Sequence, residues 1–202
     1  VTRILTLKEI YERVVLQDDQ PNINVGKFGK QYCTIPLRLL KSIIELYEHN
    51  KECCSEILEG LQHFIPVIND YFSLMVTFKK NIQESEITLI LFESFTLPNK
   101  EKVRATKSYY NAPIFSDIAV YMDPEQDFNT FGGYCFAKVL LFVRVILTTA
   151  TMIDLALICW YDFKYPSAPS KFYKYECPHL QLTKIYNMIP VQSINHIVHI
   201  VP

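Results

Sequence analysis

The chain has 202 residues, half of them hydrophobic and a fifth charged, enough for one large domain or two small ones with a real core, which excludes a disordered chain. A formal net charge of -1 exerts no global pull toward nucleic acid or acidic lipid, so such a contact must come from a local patch. With 13 Tyr and 13 Phe against 5 Gly, the composition favours strands.

The chain starts at Val1 and is still apolar at Pro202. Both ends look cut, and the expectation is a fragment of a longer protein. Arg3, Lys8, Glu9, Glu12 and Arg13 break any apolar signal core over residues 1–16. In residues 6–16, Leu7, Ile10, Tyr11, Val14 and Val15 recur at helical spacing. Residues 17–30 hold an Asp pair, Pro and two Gly and read as a loop. Thr34 then reads as an N-cap with Pro36 in the first turn, ahead of the stripe Leu37, Leu40, Ile44 and Tyr47. A second helical stripe runs through Cys54, Ile57, Leu58 and Leu61, with Gly60 and Pro66 placing its end.

After Pro66 the period changes to two. Phe72, Leu74, Val76 and Phe78 alternate with polar residues across 71–80, as in a half-buried strand. Residues 87–97 predict another strand. Residues 114–122 predict a third, with Ile118, Val120 and Met122 inward and Asp117 outward. A loop with Asp-Pro and Gly-Gly follows over 123–133. Residues 134–160 are apolar enough to span a bilayer, but Lys138, Arg144 and Asp154 interrupt them, and a hairpin turning at 148–151 is the expectation. Its first strand puts Cys135, Ala137, Val139, Leu141, Val143, Val145 and Leu147 on one face. Its second puts Leu155, Leu157, Cys159, Tyr161 and Phe163 opposite Ala156, Ile158, Trp160, Asp162 and Lys164. Residues 166–169 read as a loop, and 185–190 and 191–201 as short closing strands. The expected fold class is α+β: a helical N-terminal segment, residues 1–66, followed by an antiparallel barrel-like or sandwich-like domain, residues 67–202.

The six cysteines are Cys33, Cys53, Cys54, Cys135, Cys159 and Cys177, and there is no Asn-x-Ser/Thr sequon. A chain of this size does not need a disulfide framework, and the adjacent Cys53 and Cys54 suit reduced thiols. An intracellular location is expected, the nucleus before the cytoplasm. No membrane contact, cofactor or small-molecule substrate is inferred, and the oligomeric state is not legible.

Two resemblances enter here. Residues 103–110, Val-Arg-Ala-Thr-Lys-Ser-Tyr-Tyr, lead to Pro113-Ile114-Phe115-Ser116-Asp117. The run 155–163, then Cys177-Pro178-His179-Leu180, Ile189-Pro190-Val191-Gln192-Ser193-Ile194 and Val198-His199-Ile200-Val201-Pro202, completes the set. Together, over residues 103–202, they resemble the β-rich C-terminal region of multicopy fungal proteins that look derived from DNA transposons. In that resemblance the region lies outside the catalytic core. A strand ending in Trp160-Tyr161, a loop and then Ile-Pro-Val-x-Ser-Ile is also similar to the closing half of bromo-adjacent-homology domains, β-barrel interaction modules of chromatin proteins. The helical first third has no counterpart there.

The candidate sites are partial. Gly26-Lys27-Phe28-Gly29-Lys30-Gln31 has two residues between its glycines and Gln after Lys. A phosphate loop needs four residues there and a following Ser or Thr, so an ordinary loop is the better reading. Cys177, His179, His196 and His199 are of zinc-ligand type, but His196 and His199 fall in a β-branched run where positions three apart face opposite sides. No metal is therefore expected. Asp117, Asp123, Asp127, Asp154 and Asp162 do not single out a triad of metal-holding carboxylates. Partners for Cys-His catalysis meet only in the fold, and no complete catalytic motif is present. Arg104, Lys107, Lys138 and Arg144 make a basic patch if their strands are neighbours, and isolated solvent-face charges otherwise.

The expected binding site is Trp160 with Lys171, Phe172, Tyr173, Lys174 and Tyr175 in the following loop. Aromatic rings beside basic side chains suit docking on a peptide or stacking on bases. The bland alternative is a Trp packed beneath that loop. The function expected is a non-catalytic accessory or interaction module contacting protein or DNA. The alternatives are a chromatin-peptide reader with an aromatic cage and a degenerate enzyme fragment.

Overall fold

In the computed structural model, residues 26–49, 55–74, 87–110, 112–121, 133–148, 151–164 and 178–200 are described. The predicted hairpin is there: β8 (Tyr134–Thr148) and β9 (Thr151–Phe163) pair antiparallel along their length. Among the described residues no helix is long and apolar enough to cross a membrane.

Strands β1 (Lys27–Phe28), β2 (Gln31–Pro36), β3 (Thr88–Phe92), β4 (Ser94–Thr96), β5 (Lys102–Tyr109), β6 (Ala112–Phe115), β7 (Asp117–Tyr121), β10 (Leu180–Pro190) and β11 (Ile194–Val198) complete the β structure of the described residues. They form two antiparallel sheets. The larger has the order β10-β9-β8-β3-β2, with β7 also paired to β8 and β11 paired to β7, and the smaller is β1-β4-β5-β6. The sheets do not close into a barrel, which corrects that alternative; a sandwich-like arrangement fits.

One edge of β8 organises both sheets. β9 occupies the other edge, so β7, paired with 134–138, and β3, paired with 142–146, lie end to end. Between them the chain bends out at Glu93 and comes back at Ser116, whose carbonyl accepts the Val139 N–H at 3.0 Å. The outgoing β4 and incoming β6 flank β5, and this makes the small sheet.

The larger sheet is covered on both faces. On one, helices α1 (Leu40–His49) and α2 (Ser55–Leu74) bury Leu40, Leu61, Phe64 and Ile68 against Leu89, Val143, Leu155 and Leu157. On the other, Phe95, Val103 and Ala105 of the small sheet meet Val139, Phe142, Ile158 and Trp160. Burial on both faces is why β9 is apolar at successive positions, and its two predicted faces separate as expected over residues 155–160. β8 departs from its predicted single face. A bulge between Val139 and Leu141 adds a residue and reverses the phase. Ala137 and Val139 therefore face the small sheet, while Leu141, Val143, Val145 and Leu147 face the helices. Gly60 lets α2 approach this bulge, since a Cβ there would lie 2.9 Å from Leu141 Cγ.

Other expectations are corrected. Thr34 and Pro36, read as a helix cap and first turn, lie instead in β2; Pro36 is extended and caps a short 3-10 turn, so the helix begins after it. Pro66 lies inside α2, exposed on its outer side, while Leu61, Phe64, Ile68 and Tyr71 carry the buried stripe past it. Residues 71–74 are consequently helical; 75–80 lie outside the described residues, as do the 6–16 helix and Met122. The proposed boundary at residue 66 falls within α2, and β1 and β2 pair with β4 and β3.

Candidate functional site

Titratable side chains run in a row across the helix-covered face. In β7–β8–β9 register, Asp117 lies opposite Lys138, and Lys138 opposite Cys159. Asp117 accepts a 2.8 Å hydrogen bond from the Tyr161 hydroxyl, and the Cys159 thiol donates to the Thr183 carbonyl at 3.1 Å. Next along, the Tyr186 hydroxyl donates to Glu59 at 2.6 Å, and the His63 ring stacks on Tyr186 with centroids 3.8 Å apart.

The electrostatics of this row oppose nucleophilic chemistry. Burial, then the Glu59 charge, pushes the Cys159 thiol up to about 11. Burial and the Asp162 charge push Cys135 up to about 12. Both are thiols at neutral pH, whereas a nucleophile needs the thiolate. Burial and the bonds to Asp117 and Glu59 likewise raise Tyr161 and Tyr186.

Two expectations follow from these contacts. Cys159→Ser keeps the Thr183 carbonyl as a partner for its hydroxyl, so the loss should be about 1 kcal/mol, below the full penalty of an unpaired buried hydroxyl; chemical denaturation measures it. Asp117 is raised from 3.8, burial outweighing the opposing effects of Tyr161, Lys138 and His199. A raised carboxyl stabilises the fold below its unfolded pKa and loses that contribution as pH rises through the folded value. Asp117→Asn removes this dependence while keeping an acceptor for Tyr161. Its stability at neutral pH should equal or exceed that of the wild type, with a flatter profile above pH 3.8 in denaturation series at several pH values.

A different surface lies at the β5–β6 tip. Tyr109 pairs with Ala112, and Tyr110 stands in the turn between the strands. Such turns need positive φ, normally met by Gly, Asn or Asp. Tyr110 has φ 48 and is 87% exposed. A left-handed non-glycine residue costs about 1–2 kcal/mol, and here the residue held in it is a large aromatic in solvent. Its ring stands edge-on to Tyr109, centroids 4.6 Å apart. The Arg104 guanidinium lies 4.2 Å from the Tyr109 ring centre and donates to its hydroxyl at 3.3 Å. A bulge between Thr106 and Tyr109 swings Tyr109 to the Arg104 side. The Tyr32 hydroxyl holds that bulge, accepting from the Lys107 N–H and donating to the Ala105 carbonyl. Lys107 is exposed close to the turn, and Lys102 is exposed at the far end of β5.

Trp160 is 6% exposed, in the core between the sheets, and its indole N–H donates to Asn187 at 2.7 Å. Its place in the expected binding site is thus corrected in favour of the packed alternative: over residues 155–160 β9 is buried on both faces, so the ring has no solvent face to offer. Lys171, Phe172, Tyr173, Lys174 and Tyr175 lie outside the described residues, as do Cys177, Asp123 and Asp127. The basic residues divide. Arg144 makes a two-pronged bond to Asp154, Lys138 faces Asp117 in register, and Arg104 and Lys107 belong to the tip. Gly26 and Gly29 serve close packing on β4: a Cβ would come within 2.3 Å of the Thr96 carbonyl and 2.1 Å of Ser94 Oγ respectively. His196 meets Asn195 at 2.7 Å, its ring edge-on to Tyr134. Among the described residues no group of three or more His, Cys, Asp or Glu is placed to hold a metal.

Sequence reasoning missed β5, and with it the tip. The available signal was Tyr109-Tyr110, adjacent aromatics just after the basic residues Arg104 and Lys107. No family model, curated protein or solved structure matches this chain.

Proposed function

We propose that this chain is a non-catalytic interaction module that contacts protein or nucleic acid, and that the β5–β6 tip makes the contact. The observation carrying the proposal is Tyr110, a bulky ring kept in solvent at a backbone position that favours Gly or Asn. Strain of this kind persists where it serves a site. The protonated thiols and the carboxylate of Asp154, bound to Arg144, support the non-catalytic half of the reading. The resemblance of residues 103–202 to an accessory region of transposon-derived proteins agrees with it.

The test compares wild type with Tyr109→Ala plus Tyr110→Ala, and with Lys171→Ala plus Lys174→Ala. The ligands are single-stranded DNA, duplex DNA and histone-tail peptides. Binding that falls only in the tyrosine variant supports the tip. Binding that falls only in the lysine variant moves the site to residues 166–175, and no binding by wild type removes the proposal.

A further inference from the structure

Resting on that reading of the tip, we infer that its ligand is single-stranded nucleic acid, a base stacking on Tyr110 and phosphates meeting Lys102, Arg104 and Lys107. The tip is a hairpin end, so the Tyr110 ring projects from the surface and does not line a cleft. A projecting ring suits a flat partner with an open face, which an unpaired base supplies and a stacked duplex does not. Tyr109, edge-on to Tyr110 and stacked with Arg104, fixes a second aromatic surface beside the first.

The local charge agrees with this occupant although the whole chain is at -1. Residues 100–107 hold Lys100, Lys102, Arg104 and Lys107 against one acid, Glu101, and that carboxylate accepts the Ile197 N–H at 2.9 Å. Val103 and Ala105 point into the core, which leaves Lys102 and Arg104 on the outer face of β5. From Lys102 to Tyr109 the strand covers about 23 Å at its usual rise per residue. That length carries a few nucleotides, the low end of known single-strand sites. Aromatic faces at one end of a basic strand are the pairing that sequence-tolerant single-strand binding uses.

The experiment measures anisotropy of labelled oligothymidylate, a duplex of equal length and an acidic peptide at two salt concentrations, using the full chain. The expected result is oligothymidylate binding that weakens with salt and prefers the single strand. Tyr110→Ala should weaken it roughly 5- to 150-fold, the value of one stacked base, while Tyr110→Phe keeps it. Lys102→Ala plus Lys107→Ala should flatten the salt dependence, because fewer counterions are released. Tyr110→Gly, which suits the left-handed backbone and keeps the fold, should lose binding as Tyr110→Ala does. Wild-type affinity in both Tyr110→Ala and Tyr110→Gly, or preference for the duplex, overturns the inference. Peptide binding that depends on Tyr110, without oligothymidylate binding, overturns the inference and leaves the interaction reading standing. Binding to none of the three overturns both.

Discussion

Phe142→Ala should destabilise the protein by about 3–5 kcal/mol, the usual cost of emptying a buried aromatic site. Phe142 is fully buried at the midpoint of β8, directly after the bulge that turns its neighbours toward the helices. Its ring alone at that point faces the small sheet, meeting Phe28 at 6.3 Å and Phe95 at 6.1 Å between centroids. Phe28 also stacks on Phe92 at 4.1 Å. The ring therefore ties β8 to β1, β3 and β4, the strands that bend from one sheet to the other. Domains commonly have only about 5–15 kcal/mol of stability, so a large part of the folded population is at stake. Equilibrium urea unfolding with an unchanged slope would give the loss directly. A loss below 1 kcal/mol would mean that neighbouring rings collapse into the space, and that Phe142 does not join the sheets.

The parts of this fold legible in the sequence are those where period and burial agree. The β8–β9 hairpin was legible because charges at Lys138, Arg144 and Asp154 punctuate an apolar run too long for ordinary strands. In the structure, Arg144 and Asp154 are partners across the hairpin. Strand β9 could be assigned face by face because its register against β8 is regular near Leu155–Leu157 and both faces enter a core. The bulge in β8 was not legible. It adds one residue with no Gly or Pro to mark it, and odd-numbered apolar residues continue on both sides while their faces exchange. Pro66 misled for a similar reason: a local breaker outranked a stripe whose next members, Ile68 and Tyr71, are buried. Strand β2 was hidden because its pairing with β3 is a contact between residues far apart in sequence.

The candidate site was legible only in fragments. Arg104 and Lys107 drew attention as charges, but their link to Tyr109 depends on the bulge that Tyr32 holds from another strand. Trp160 drew attention because alternation alone puts it beside Asp162 and Lys164. What alternation omits is the second sheet. Once Val103, Ala105 and Phe95 cover that face, a Trp at position 160 is a core residue whose single polar atom is satisfied by Asn187.

Arg144→Ala should cost about 1–3 kcal/mol, the range for losing charge-assisted bonds and leaving a partner unpaired. The guanidinium meets Asp154 through two bonds, of 2.7 and 2.9 Å. Asp154 holds the Arg144 charge more firmly than usual, its hydrogen bond outweighing partial burial. The same guanidinium lies 5.2 Å from the Phe28 ring centre and 5.9 Å from that of Phe92, so it also covers the aromatic cluster beneath Phe142. The Asp154 side chain keeps a fifth of its exposure, and the ion pair alone should be worth less than a fully buried one. A double-mutant cycle separates the two contributions. Asp154→Ala removes the ion pair and leaves the aromatic cover, so it should cost less than Arg144→Ala. The double variant should cost less than the sum of the singles, because the pair is lost once. Equal losses in the two single variants would mean that the rings gain nothing from Arg144. Weaker nucleic-acid binding by an Arg144→Ala protein that remains folded would mean that this charge serves the ligand and not the hairpin.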